Sequence, residues 1–490
     1  MTVERSPASR GARRILPLSG GAVATVASLI IILGVPAEGR AVALPLFALI
    51  NIAIWSFVVL TMRDPGLPIF ELGTLCTGFT LLYAGYPLFA FLMSGGVWTA
   101  LSDNRLRQWN PGPAELGAFA WRYVVYMAAF AAAYLFVRGS GSATRTPMRT
   151  LSPAGTLMVV WTSLVLVTYF TALWVLLGVT YDPSYEDVRL GLVGVPRDLP
   201  HVVQQLSHNL KGILLLLKIC GIALLMHRWE RRWHRGILLV WLAVELVTTG
   251  MRMGARSDTL FLLVSAGLLY HRIVKPLTFP RVALAGTCLV LLALGYGFAR
   301  DFRHARASGE PSSYWSAANE FQVIMSTGFD LHMRQRTGAL DPVPWQVSAS
   351  EALMLVPSQL LPFAKIDPAE WYLLQIGVDV RQAGLMFGVI GQAAIGYDWI
   401  ELLVRGVLLG VLFAAIHRAY VRHARSFWWS ILYLYVCLWS YYTIRASTFY
   451  FVYVVAYHFV PAMIATSIGT WLLRLAASRR LQSATLPGEN

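Results

Sequence analysis

Apolar residues along this chain gather into runs close to twenty residues long, separated by polar stretches in which arginine is the dominant charge. A run of about 20 apolar residues is what a helix needs to cross roughly 30 Å of hydrocarbon. The runs are continuous rather than alternating, so in lipid they satisfy their own backbone N–H and C=O groups as helices. The pattern predicts an all-α, polytopic transmembrane bundle of about twelve spans. These cover residues 16–35, 41–61, 70–93, 118–137, 156–179, 213–226, 237–249, 259–273, 282–298, 400–416, 427–444 and 449–473. The seventh and eighth are short, which leaves a broken or re-entrant pair as an alternative there.

Composition agrees with a membrane protein. Hydrophobic residues make up 57% of the 490 and charged residues 13%, about half the share found in soluble proteins. The formal charge of +15 would point to nucleic acid in a soluble chain. Here the arginines sort by connection instead, and no nucleic-acid partner is expected. With the N-terminus inside, every second connection is cytoplasmic. Those connections hold Arg63; Arg138, Arg145 and Arg149; Arg228, Arg231, Arg232 and Arg235; Arg272, Lys275 and Arg281; and Arg418, Arg422 and Arg425. Arg474, Arg479 and Arg480 follow in the tail. This bias predicts a multi-pass plasma-membrane protein with both termini cytoplasmic. Arg10, Arg13 and Arg14 precede the first run, and Ala41-Val42-Ala43 has the form of a signal-peptidase site. The first run is long for a signal sequence and a second span follows at once, so an uncleaved span is expected. Cys76, Cys220, Cys288 and Cys437 lie inside apolar runs without metal-ligand spacing and read as small core thiols.

The same orientation puts three larger connections outside, at 94–117, 180–212 and 299 to about 399. The chain then divides into nine spans over 1–298, a large extracytoplasmic loop over 299–399, and C-terminal spans with a tail over 400–490. The loop is rich in Trp, Leu and Pro and is expected to contain short helices. Ser348-Ala-Ser-Glu351 before Ala352-Leu-Met-Leu355 has the form of a capping box.

Arginines on the outward side run against the bias and become informative: Arg252, Arg256, Arg300, Arg303, Arg306, Arg405 and Arg445. A guanidinium stays charged and donates paired hydrogen bonds that suit phosphate. Arg252 and Arg306 read as side chains snorkelling to water. Arg405 lies one turn after Glu401, and a helical ion pair accounts for it. Arg256 and Arg445 sit in very short turns between apolar spans, where an anionic ligand and a plain interfacial charge are both open. Lys218 and Glu245 lie near mid-span and read as an ion pair between neighbouring helices, with a proton relay as the alternative. Glu320, Asp330 and His332 are candidate bases in the long loop, each weighed against a solvated loop side chain. No P-loop, dinucleotide glycine fingerprint, zincin histidine pair or Gly-x-Ser-x-Gly elbow occurs, and Asp-x-Asp is absent.

Several short motifs follow one another in a definite order. Gly254-Ala-Arg256 opens a span, and Arg300 and Arg303 enter the long outer loop. Asn319-Glu320-Phe321 comes next, then Val356-Pro-Ser358 with Leu361-Pro362. A glycine-rich re-entry runs from Gly388 through Gly391 to Gly396, and Ile444-Arg445-Ala-Ser447 precedes the final span. This set, over about 250–465, resembles the bacterial O-antigen or oligosaccharide repeat unit polymerases (Wzy-type, GT-C-like membrane glycosyltransferases). One departure is Gln392, where a glutamate is expected in the glycine-rich re-entry.

The resemblance implies an enzyme that joins undecaprenyl-diphosphate-linked repeat units at the outer face of the plasma membrane. It implies Arg256, Arg300 and Arg445 on the diphosphate, Arg303 in support, and Glu320 as the base for the acceptor proton. No metal or other cofactor is implied. The implied partners are the lipid-linked glycan donor and acceptor, the bilayer, and flippase and chain-length regulator proteins. A glycan ligase of similar architecture is the near alternative. A transporter or lipid flippase is the alternative from another class, against which stands the gathering of polar residues toward one face without an internal repeat.

Overall fold

In a computed structural model of the chain, the structure describes residues 7–64, 70–95, 111–139, 147–177, 201–251, 256–277, 281–282, 284–286, 288, 320–375 and 388–484. Among them the fold is helical throughout, with no strand. In chain order the helices are α1 (Pro7–Leu33), α2 (Arg40–Arg63), α3 (Leu72–Met93), α4 (Pro113–Val137), α5 (Pro153–Leu177), α6 (His201–Met226), α7 (Arg232–Met251) and α8 (Arg256–Leu269). They continue as α9 (Glu320–Arg336), α10 (Trp345–Ala352), α11 (Pro368–Gln375), α12 (Gly388–Ile395), α13 (Asp398–Arg422), α14 (Phe427–Trp439), α15 (Tyr442–Arg445) and α16 (Tyr450–Ser478).

Seven helices among the described residues are long and apolar enough to cross a membrane, with shorter apolar helices at Pro17–Leu33 and Leu260–Val274. The chain is therefore an all-helical membrane protein, and the described spans number fewer than the roughly twelve that hydropathy predicts. Two differences have clear causes. The apolar run at 427–444 is not one helix: α14 stops at Trp439 and a short α15 follows, the Thr443 and Ile444 N–H groups bonding three residues back to Ser440 and Tyr441 in a tight turn. The segment 237–249 belongs to the 20-residue helix α7, which begins in the arginine-rich turn before it. The span at 282–298 lies almost wholly outside the described residues. Val42 and Ala43 are buried within α2.

The chain forms two compact units. Unit 1 is Met1–Arg145, Ser313–Arg422 and Trp439–Phe451; unit 2 is Thr146–Ser312, His423–Leu438 and Val452–Asn490. Unit 1 is organised around α4 and α13. Pro113 starts α4, where its missing N–H costs nothing, and Glu115 accepts the Gly112 N–H at 3.3 Å. The alanines of α4 then meet a Gly406-x-x-x-Gly410 stripe on α13. A Cβ built on Gly406 would lie 2.7 Å from the Tyr126 carbonyl and 2.9 Å from Ala129. One on Gly410 would lie 2.6 Å from the Phe130 carbonyl and 2.9 Å from Ala133. Small residues at this spacing let two backbones approach in lipid, where dispersion rather than hydrophobicity drives association. The contacts advance together along both helices, so α4 and α13 are parallel. Helix α2 is parallel to them, with Ala41 against Gly117 and Arg63 donating to the Leu135 carbonyl.

Among the described residues three π-helical turns occur, at Leu81–Gly85, Tyr270–Val274 and Val455–Phe459. Each is followed two residues later by a proline: Pro87, Pro276 and Pro461. Pro87 and Pro461 lie inside continuing helices, where proline lacks an N–H and its ring crowds the preceding turn, and a widened turn just upstream absorbs that crowding. Pro276 follows the end of its helix, after extended Lys275.

In unit 2, Lys218 on α6 meets Glu245 on α7 at 2.6 Å, the interhelical ion pair read from sequence. The Tyr435 hydroxyl bridges His458 Nδ1 at 2.9 Å and the Gly212 carbonyl at 3.3 Å, and Tyr453 donates to Asn209 at 2.7 Å. Cys76, Cys220 and Cys437 are buried as core thiols, whereas Cys288 is exposed.

Candidate functional site

The described part of the long loop packs into unit 1. Leu331, Leu340, Val347, Trp371, Tyr372 and Ile395 form a small apolar core that ties α9, α10, α11 and α12 together. Helix α9 is anchored by Phe321, whose ring lies 4.9 Å from Tyr83 and 6.1 Å from Tyr86. Helix α12 is buried along its whole length. It begins at Gly388 with φ +68, a conformation that a side chain would strain. A Cβ there would also lie 2.9 Å from Ile324 of α9 and 2.9 Å from the Ile444 carbonyl of α15. That glycine is what allows α9, α12 and α15 to meet.

Behind this meeting point lies a buried polar network centred on Glu351. Its Oε1 accepts from the Ser447 hydroxyl at 2.6 Å and from the Thr448 N–H at 2.9 Å. Its Oε2 accepts from Gln392 Nε2 at 3.1 Å and from Arg405 Nη2 at 2.6 Å. Arg405 also bonds Glu401 at 2.8 Å through Nε and the Thr448 hydroxyl at 2.9 Å through Nη1. The side chains of Glu351 and Arg405 are 4% and 7% exposed, so each charge depends on the other. Burial by itself would raise the Glu351 carboxyl, but the Arg405 charge and the hydrogen bonds from Arg405, Ser447 and Thr448 hold it below its ordinary 4.5.

Arg445 closes α15 two residues before Ser447. Its guanidinium lies 5.4 Å from the Tyr442 ring centre and 6.0 Å from that of Tyr441, within cation–π range. The turn after it is tight: the Ala446 and Ser447 N–H groups both donate to the Tyr442 carbonyl, and Tyr450 N–H returns to Ser447. A second ion pair joins α4 to α13, where Arg122 clasps Asp398 through Nε and Nη2, both at 2.7 Å. The Arg122 guanidinium also covers Trp399 at 4.8 Å.

Of the residues singled out in sequence, Arg445 is fully described and Glu320 opens α9, with its side chain outside the described set. Arg256 opens α8 in unit 2, its side chain likewise outside; Arg300 and Arg303 lie outside the described residues altogether, as do Arg252 and Arg306. Arg405 pairs with Glu401 as its spacing predicts. Asp330 is not a solvated loop carboxylate. It is 2% exposed, bonded by Arg334 at 2.8 Å and by Tyr372 at 3.1 Å, and burial raises it above the ordinary value against both of those bonds. His332 is shifted down, first by burial and then by the Arg122 charge.

The residue that sequence reasoning missed is Glu351. It does not cap a helix N-terminus; it lies at the end of α10, already inside the helix, because Pro344 starts that helix earlier. Gln392, the departure in the glycine-rich segment, proves to be one of its donors. Among the described residues no group of three or more His, Cys, Asp or Glu is placed to hold a metal ion. Comparison of the chain with protein-family models, curated proteins and solved structures finds no match in any of the three.

Proposed function

We propose that the chain is a membrane glycosyltransferase that polymerises undecaprenyl-diphosphate-linked oligosaccharide repeats into a surface polysaccharide at the outer face of the bacterial plasma membrane. The supporting observation is the convergence on Arg445. Three segments that carry the motif order, the first turns of α9, the glycine-rich α12 and the Ile444–Ser447 turn, meet in unit 1 at Gly388, next to the backbone of the four-residue helix that ends in Arg445. The outward orientation is read from the Lys/Arg bias of the sequence, with which Arg63 and Arg422 at the C-terminal ends of α2 and α13 are in keeping.

In the proposed reaction, a hydroxyl of one lipid-linked repeat attacks the anomeric carbon of the growing glycan. The new glycosidic bond forms as the bond from that carbon to the lipid diphosphate breaks. The acceptor proton passes to Glu320, and the electron pair leaves with the diphosphate. Negative charge grows on the leaving group as the bond breaks, so a fixed guanidinium favours the transition state over the bound substrate. Arg445 takes that role. The resemblance alone assigns diphosphate contact to Arg256 and Arg300 as well, with Arg303 in support, and the scheme requires no metal.

The test is a clean gene deletion complemented with wild type or Arg445→Ala, with surface and lipid-linked glycans sized. Single repeats accumulating in the deletion and in Arg445→Ala support polymerisation. Full-length chains stranded on the lipid carrier would make it a ligase, and unchanged glycans would remove the polysaccharide reading.

A further inference from the structure

We infer that Glu351 is a positioning residue for Arg445, its buried carboxylate holding the turn at 446–448 and through it the guanidinium. The inference rests on the reading of Arg445 as a diphosphate contact. Helix α15 has four residues, too few to hold itself, since a helix of that length gains little from its own hydrogen bonds. Something else fixes where Arg445 points. On one side the Gly388 backbone abuts the Ile444 carbonyl. On the other, Glu351 Oε1 takes both the Ser447 hydroxyl and the Thr448 N–H, the second and third residues after Arg445.

The geometry separates this role from that of a plain ion pair. A carboxylate has about four acceptor sites, and Glu351 fills them from three directions: α12 through Gln392, α13 through Arg405, and the turn through Ser447 and Thr448. Arg405 would be neutralised by Glu401 alone, which it meets at 2.6 Å. What Glu351 adds is the link from the α13 ion pair to the turn bearing Arg445. A shift of about 1 Å in a group facing the reacting centre costs on the order of a hundredfold in rate, so small losses of this tether are expected to reach turnover.

Glu351→Gln disturbs a buried charge and can fail to fold, so the decisive variant is Ser447→Ala, which removes one tether to Glu351, with the longer bond that the hydroxyl accepts from the Phe449 N–H at 3.3 Å, and leaves the charge pair intact. On purified lipid-linked repeats, Ser447→Ala lowers kcat about tenfold while KM moves less than about threefold. In an Arg445→Ala background the same change has no further effect, because Ser447 acts only through Arg445. Losses that simply add would overturn the inference, as would a Ser447→Ala enzyme with ordinary kcat beside an inactive Arg445→Ala. Full polymer from Arg445→Ala would instead remove the diphosphate assignment, and the inference with it. A second readout does not depend on catalysis. Ala446→Cys in a Cys288→Ser background is labelled with N-ethylmaleimide, with and without Ser447→Ala. Release of the turn changes the labelling rate about fivefold or more, by the logic that local opening sets access, and equal rates would overturn the tether.

Discussion

Replacing Gly410 with alanine on the parallel α4–α13 pair tests the packing of unit 1 most directly. The new methyl carbon would sit 2.6 Å from the Phe130 carbonyl, 2.9 Å from Ala133 Cβ and 3.0 Å from the Tyr134 amide, against about 3.4 Å for ordinary contact. Two of those atoms are backbone, so no side chain can swing aside, and the helices have to separate by roughly 0.8 Å locally. Overpacking of this kind costs about 1–3 kcal/mol. Gly406→Ala meets the Tyr126 carbonyl at 2.7 Å and is expected to cost a similar amount. Spans remain largely helical when they come apart in a bilayer, so helix propensity nearly cancels and the packing loss is what is measured. Controls are Gly236→Ala and Gly267→Ala, also in helices, with nothing within 4 Å of the added carbon. Reversible unfolding in mixed micelles titrated with dodecyl sulfate gives the comparison. The expected difference is about 5- to 150-fold in the unfolding constant, with the controls within about 0.5 kcal/mol of wild type. A Gly410→Ala protein as stable as the controls would refute close backbone contact between α4 and α13.

Two further outcomes can be checked in the same way. Asp398→Ala strands the Arg122 guanidinium, whose side chain is 7% exposed; the expected loss is about 3 kcal/mol, the lower end for a broken buried pair because Asp398 keeps some access to water. Asp398→Asn retains one acceptor and is expected to lose about half of that; unfolding midpoints equal to wild type for both would exclude the pair as a brace. Glu351 is held below its ordinary 4.5 in the folded protein, so its contribution is fully present above that pH and disappears as pH falls through its lower folded value. The stability gap between wild type and Glu351→Gln should therefore narrow only below about pH 4.5; a gap unchanged at more acid pH would show that Glu351 is not ionised in the fold.

The features legible in sequence were those whose partners are near in sequence or bound by a general rule. Helical periodicity gave Glu401–Arg405, and mid-span charge gave Lys218–Glu245, both at 2.6 Å. Hydropathy gave the helical class. Among the described residues seven helices are long and apolar enough to cross a membrane, and the predicted crossing at 427–444 is broken between α14 and α15, which hydropathy cannot register. Partners distant in sequence left no local trace: Arg122 and Asp398 are 276 positions apart, and Glu351 and Ser447 are 96 apart. Glu351 was hidden further by its own neighbourhood, since Ser348 and Glu351 have the spacing of a cap while Pro344 had already started the helix. The Gly406 and Gly410 stripe was visible as letters, but only the alanines of α4 give it meaning.

Three helices running the same way in one unit have an electrical consequence. Every peptide dipole in α2, α4 and α13 points alike, so their N-terminal ends present roughly half a positive charge each before any side chain is counted. Side chains answer at both ends: Glu38, Glu115, Asp398 and Glu401 stand at the positive poles, and Arg63 and Arg422 at the negative ones. A standing field thus runs along these three helices, and its positive end is answered within the chain, Glu401 accepting the Tyr397 N–H at 3.0 Å at the start of α13.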